Sequence, residues 1–269
     1  MKTYLMILAT AAALAGCTKK EEDAAPLAAA TQSADVTVSD QYGVIHSTPY
    51  FMQNDFWNYN ATGAVKPQSC FFNNINDWGA NSAHTYGTGE IKSYPSIVYG
   101  RHYGTSSGAG RLPRLVQSLG TVHTSWSQLS SNSAHFDAAY DLWFDPNPYQ
   151  TGMNRDELMV WVNWAGTNPL ADSYNASGAV PYAASVYLGG RHWNIYHKDL
   201  GSGRDVMSFL PASGGQNSIT LDMKPLINYC VGRGWLQTSE SMTSVQAGWE
   251  IIQGGTFRTS AFHIDPTTL

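Results

Sequence analysis

Apolar and polar residues alternate with a period of two through most of this chain. That period marks strands, because successive side chains on an extended backbone point to opposite faces. The clearest run is residues 156–163, in which Leu158, Val160 and Val162 share one face and Glu157, Met159, Trp161 and Asn163 share the other. Residues 243–252 repeat the pattern, with Gln246, Gly248, Glu250 and Ile252 on a common face. The same reading predicts strands at 44–47, 50–57, 70–73, 96–103, 116–126, 135–144, 156–164, 183–188, 192–197, 206–210, 218–221, 243–252 and 256–264. Turn chemistry separates many of them, as at Asp145-Pro146-Asn147-Pro148, Gly189-Gly190 and Gly254-Gly255. Residues 222–234 break the pattern: an Asp at the start, Pro225 in the first turn, Leu226, Ile227, Cys230 and Val231 on one helical face, and glycines at the end. The expectation is an all-β chain, a sandwich or barrel of antiparallel sheets with one helix packed outside.

Composition narrows the picture. The 269 residues suit a single β-domain, and aromatic residues at 12% with only 13% charged residues favour an aromatic-lined surface over a helical bundle. A net charge of −5 without any basic stripe gives no reason to expect a nucleic-acid partner. Met1-Lys2 followed by an apolar run at 5–15 is too short to span a bilayer comfortably, and it ends in Leu14-Ala15-Gly16-Cys17. That box resembles a bacterial lipoprotein processing site, which implies a signal peptide at 1–16 and lipidation of Cys17. Residues 17–40, charged and then rich in Ala, Ser and Thr, read as a flexible tether. The expected domain is 41–269, a monomer held at the cell envelope or cell surface by its lipid anchor alone. Of the other cysteines, Cys230 falls on the helical stripe and Cys70 on a strand; the sequence leaves their pairing open.

The chemistry is carried by glutamates. Beyond the N-terminal segment only Glu90, Glu157, Glu240 and Glu250 occur, and only Glu157 and Glu250 lie within apolar strands. A carboxylate there is costly unless it is used. Beside an aromatic and an amide (Met159, Trp161 and Asn163 share the face), two such carboxyls are the equipment of glycoside hydrolysis. The eight histidines show no metal-ligand spacing and there is no Gly-x-Ser-x-Gly, so no metal, no cofactor and no serine nucleophile are expected. The rival readings are a non-catalytic glycan-binding surface lipoprotein and a structural envelope lipoprotein.

Seven collinear segments resemble glycoside hydrolase family 12, the retaining endo-β-1,4-glucanases and xyloglucanases with a β-jelly-roll fold. They are QNDFW (53–57), KSYPSIVYGRHY (92–103), AYDLWFDP (139–146), ELMVWVNW (157–164), ASVYLGGRHWNIY (184–196), DVMSF (205–209) and MTSVQAGWE (242–250). The resemblance implies a jelly roll with a concave cleft and a β-1,4-glucan as substrate: cellulose-type, mixed-linkage or, alternatively, xyloglucan. It implies that Glu157 is the nucleophile, Glu250 the general acid/base and Asp141 a hydrogen-bond partner of the nucleophile. Trp57 matches a sugar platform on the non-reducing side, with His102 near the cleft and Asn54 a further substrate contact. The chain departs from the family in lacking a partner for Cys70 and a second disulfide, in having Ile252 where a Trp is common, and in a long segment at 165–183.

Overall fold

The computed structural model describes residues 36–59, 67–108, 110–132, 134–265 and 269. The expected signal peptide, Cys17 and residues 17–35 of the tether lie outside the described residues. In chain order the strands are β1 (Val36–Val38), β2 (Val44–Ser47), β3 (Tyr50–Gln53), β4 (Gln68–Asn74), β5 (Asp77–Ser82), β6 (Ser96–His102), β7 (Thr105–Ser106) and β8 (Arg114–Leu115). Next come β9 (His123–Ser130), β10 (His135–Asp145), β11 (Asp156–Ala165), β12 (Tyr174–Asn175), β13 (Gly178–Ala179), β14 (Ala183–Leu188), β15 (Arg191–Asp199), β16 (Asp205–Pro211) and β17 (Ser218–Asp222). The helix α1 (Lys224–Arg233) leads into β18 (Ser241–Gln253) and β19 (Thr256–Ile264).

A six-stranded sheet, β1-β4-β5-β19-β9-β17, packs on a larger one ordered β14-β15-β16-β11-β10-β18-β6-β3-β2, with β7 and β8 at its margins. This is the expected jelly-roll sandwich, with one correction: β11 and β16 pair in parallel. The chain leaves β11 through the long 165–183 segment and the β14–β15 hairpin. It then re-enters beside β11 from the same end, a route that a tight hairpin cannot supply.

The period-two reading holds where it was strongest. Leu158, Val160 and Val162 enter the core between the sheets, as do Val245, Ala247, Trp249 and Ile251 of β18. Three tryptophans from both sheets meet there: Trp78 stacks on Trp126 at 6.1 Å, and both tilt against Trp249 at 5.3 Å. Their indole N–H groups donate to Ile75 O, Thr259 Oγ1 and Gln128 Oε1, so burial leaves no donor idle. Trp249 thus pins β18 immediately beside Glu250.

Elsewhere the chain departs from expectation. The predicted strand at 116–126 is a 3₁₀ turn at Val116–Ser118 followed, after a break, by β9. The tether loses its last residues, because Val36–Val38 pairs with β4. Asp222 is not itself the N-cap, which is Met223, but its carboxylate accepts from Lys224 N (2.9 Å) and Val122 N (2.8 Å), tying the helix to β9's entry. Gly234, at φ 79°, ends the helix in the left-handed conformation that glycine adopts without strain. Cys70 and Cys230 are both buried and unbonded.

Candidate active site

The face of the larger sheet turned away from the core carries the two strand glutamates. β10 lies between β11 and β18, and its core-side residues Phe136, Ala138, Tyr140, Leu142 and Phe144 leave Asp137, Ala139, Asp141 and Trp143 on the opposite face. Trp143 stands opposite Glu157 in the β10–β11 ladder, and Asp141 stands opposite Met159 and Gln246. Asp137 stands opposite Glu250. A register shift between Ala138 and Ala139 interrupts the β10–β11 ladder midway between the two aspartates, the kind of irregularity that bends a strand and re-aims its side chains.

The result is a group of four carboxyls of two kinds. Glu157 and Glu250 remain partly open to solvent. Asp137 and Asp141 are 0% and 2% exposed. The Asp141 carboxyl is in hydrogen-bond contact with Glu157, and the Asp137 carboxyl with Glu250. All four groups are pushed above the usual carboxylate range, first by burial and, for three of them, next by a neighbouring glutamate. Glu157 rises to about 8 through burial and the charge of Glu250, against the lowering effects of its contact with Asp141 and of Arg204. So many carboxyls in one dry patch cannot all ionise together.

Tyr94 is buried beside this group. Its hydroxyl donates to Ala139 O at 3.1 Å and lies beside Asp141. The segment carrying Tyr94 runs antiparallel beside β18 and passes Gly248 so closely that an added Cβ would come 2.5 Å from Pro95 O; only glycine permits that approach.

The remaining sequence candidates divide. Trp57 is 45% exposed on a backbone held by Lys92 O, on the side of β18 remote from β10. His102 is buried, its ring 5.8 Å from Trp143, and burial lowers its pKa to about 4, so it is neutral. Asn163 is half-buried; its amide donates to Asn217 Oδ1 at 3.0 Å and its oxygen accepts from Trp164 N. Met159 and Trp161 lie on the outer face as expected but are not open platforms. They pack with Ala139, Val206 and Leu210 beneath the half-buried Trp164 and Tyr196. Asn54 is a correction: fully buried, it donates to Asp40 O and Gln68 O and accepts from Gln68 Nε2, which leaves nothing for a substrate. Ile252 is buried as well, so no open site waits there for a second platform. Tyr174 and Tyr182 brace their own surroundings, Tyr174 through Pro169 O and Ala171 N and Tyr182 against Trp235.

Sequence reasoning passed over Asp137 and Tyr103. Asp137 shares the parity of Asp141 on β10, a signal that was readable. Tyr103 is exposed, has a positive φ of 45° and sets its ring edge-on to His102 at 4.5 Å. Nothing in the period-two pattern marks such a residue.

The family model for glycosyl hydrolase family 12 matches residues 48–266. The chain belongs to glycosyl hydrolase family 12. Among family 12 relatives, Endoglucanase S of Pectobacterium parmentieri is 28% identical over 214 residues, 76% of each chain. A probable xyloglucan-specific endo-beta-1,4-glucanase A of Aspergillus terreus is 26% identical and aligns over 98% of this chain and 99% of its own. Among solved structures, the xyloglucanase domain of NopAA from Sinorhizobium fredii, in complex with cellobiose, superimposes with a TM-score of 0.71 at 25% identity. It covers 86% of this chain and 98% of that one.

Proposed function

We propose that this protein is an endo-acting, retaining β-1,4-glucanase in which Glu157 is the nucleophile and Glu250 the general acid/base. The observation that carries the reading is the pair of partly open glutamates on one face of the sheet of a family 12 hydrolase, each in contact with a buried aspartate. Glu157 attacks the anomeric carbon while Glu250 protonates the departing glycosidic oxygen; water then opens the glycosyl-enzyme with Glu250 as base. For this Glu157 must be ionised and Glu250 protonated. Asp141, the more deeply buried partner, keeps a proton and donates it in a hydrogen bond to the Glu157 carboxylate, which favours the ionised nucleophile.

A pure binding protein has no use for this arrangement, because buried acid pairs cost stability and sugar platforms do not need them. The test is release of reducing sugar from β-glucan by the wild type and its absence with Glu157→Gln of unchanged fold. Xyloglucan is the second reading, favoured by the names of relatives such as that of Aspergillus terreus; initial rates on cellulose derivative, mixed-linkage glucan and xyloglucan separate the two. The enzyme acts as a monomer, and the Leu14-Ala15-Gly16-Cys17 box supports a lipid anchor that holds it at the cell envelope or surface. Cys17→Ser tests this: the variant should leave the membrane fraction or accumulate as uncleaved precursor.

A further inference from the structure

Asp137 has no part in the reaction as just written, yet it occupies the most demanding position in the site. It is 0% exposed, it stands directly opposite Glu250 in the β10–β18 ladder, and among the described residues no N–H or O–H group donates to either of its oxygens. Apart from the imidazole of His135, the groups facing it are carboxyls, an indole and a phenol. From β18 it meets Glu250; along β10 come Asp141 and, two residues the other way, His135, whose Nδ1 is taken up by Gln253 Oε1 at 2.6 Å. From β11 it meets Trp164 in register and, further off, Glu157; Tyr94 lies nearby. No lysine or arginine is among them. An ionised carboxylate placed there would have neither a donor nor a lysine or arginine beside it, whereas a carboxylic acid finds one good acceptor, the Glu250 carboxylate.

We infer that Asp137 is a positioning residue for the acid/base: it keeps its proton and donates it in a hydrogen bond to Glu250, holding that side chain in place and stabilising its ionised form. Each glutamate thus has its own buried proton-bearing aspartate, Asp141 behind Glu157 and Asp137 behind Glu250. The consequence is directional. An O–H donor aimed at Glu250 makes it a stronger acid toward the leaving oxygen than burial alone would leave it, and sets the pH above which the enzyme loses its acid. The contact with Asp137 does act to lower Glu250, against the raising effect of burial.

This inference rests on Glu250 being the acid/base, and its test separates the two claims. The pH profile of kcat/KM on a cello-oligosaccharide is measured for wild type, Asp137→Asn and Asp137→Val. Removing the donor in Asp137→Val should move the alkaline limb up by about half a pH unit or more. Asp137→Asn keeps a weaker donor and should fall between wild type and Asp137→Val. An aryl cellobioside whose leaving group needs no proton should show no such movement. If Asp137 were ionised, removing its charge would move the alkaline limb down in Asp137→Asn. That result, or no movement in either variant, overturns the inference. Infrared difference spectra near neutral pH give an arm independent of turnover: the C=O stretch of a protonated, dry carboxyl present in wild type should lose one component in Asp137→Asn. An unchanged band means that Asp137 never held the proton, even where Glu250 is shown to be catalytic. A lost band in an enzyme with no hydrolytic activity refutes the hydrolase reading while keeping the proton on Asp137.

Discussion

If Trp57 is the sugar platform that the family resemblance implies, Trp57→Ala measures how much of the substrate's binding is used at a distance from the cleaved bond. An aromatic side chain of this size offers about 200 Å² of surface, and Trp57 leaves 45% of itself exposed, or about 90 Å². At about 25 cal/mol per Å², covering all of it stabilises the complex by about 2 kcal/mol. A pyranose stacked on one face of the indole would cover half or more of that area, so about 1–2 kcal/mol is expected. At 1.36 kcal/mol per factor of ten, kcat/KM should fall about 5- to 30-fold. The truncation is local, because Phe56 next to it is buried and the Trp57 and Asn58 amides stay bonded to Lys92 O. The assay is kcat/KM across a cello-oligosaccharide series. The loss should be largest for oligosaccharides just long enough to reach Trp57, since longer ones have other sugars to hold them and shorter ones never touch it. If every length keeps its wild-type kcat/KM within twofold, Trp57 is not a platform and the stacking argument fails.

The other expectations concern the carboxyls. Glu157→Gln should lower kcat by about 10⁴-fold or more without changing the circular dichroism spectrum; near-wild-type turnover would remove the nucleophile assignment. Glu250→Ala should regain activity with azide on an aryl glycoside that needs no leaving-group protonation, giving a β-glycosyl azide; an α product would contradict retention. Asp141→Asn replaces the proton donor that favours ionised Glu157, so the acidic limb of kcat/KM should move to higher pH while substrate affinity changes little. A stationary limb with full activity would make Asp141 a structural residue. Stability carries the same signature. A carboxyl held at about 8 in the folded enzyme and at its ordinary value near 4.5 in the unfolded chain binds more protons when folded. Stability therefore falls as pH rises from about 4.5 to about 8. Glu157→Gln should melt higher than wild type at pH 8, by about 5 °C or more, with the difference vanishing near pH 4. Equal melting temperatures at pH 8 would mean that Glu157 is not strained there.

How far the sequence discloses this enzyme depends on whether a residue's neighbours or its period give it meaning. β11 and β18 are legible because apolar residues occupy every second position and leave each glutamate on the other face. β5 is not, since Asp-Trp-Gly-Ala-Asn-Ser contains a glycine chosen for closeness. An added Cβ at Gly79 would come 2.0 Å from Phe257 O of β19, a contact between residues far apart in the chain. The 116–126 segment misled because Val116, Leu119, Val122 and Trp126 are all core residues, and buried loops and strands look alike when every apolar position is used. Asn54 misled for another reason: a motif says that a residue belongs to the family, not where its side chain points. Asp137 does not stand out in the sequence because glutamates are scarce and aspartates are not, although it shares the face of Asp141 on β10.

The two thiols left unbonded give this enzyme an unusual independence from its surroundings. Cys70 and Cys230 are both 0% exposed, and burial pushes the Cys70 thiol up to about 12, so it offers no thiolate to an oxidant or a mixed disulfide. No covalent bond closes the described domain. Whatever holds β4 to β5 and α1 to the sandwich is packing and hydrogen bonding alone, the same on either side of a membrane. The catalytic domain should therefore fold as readily under reducing as under oxidising conditions, need no thiol oxidase or isomerase, and keep its melting temperature in millimolar dithiothreitol.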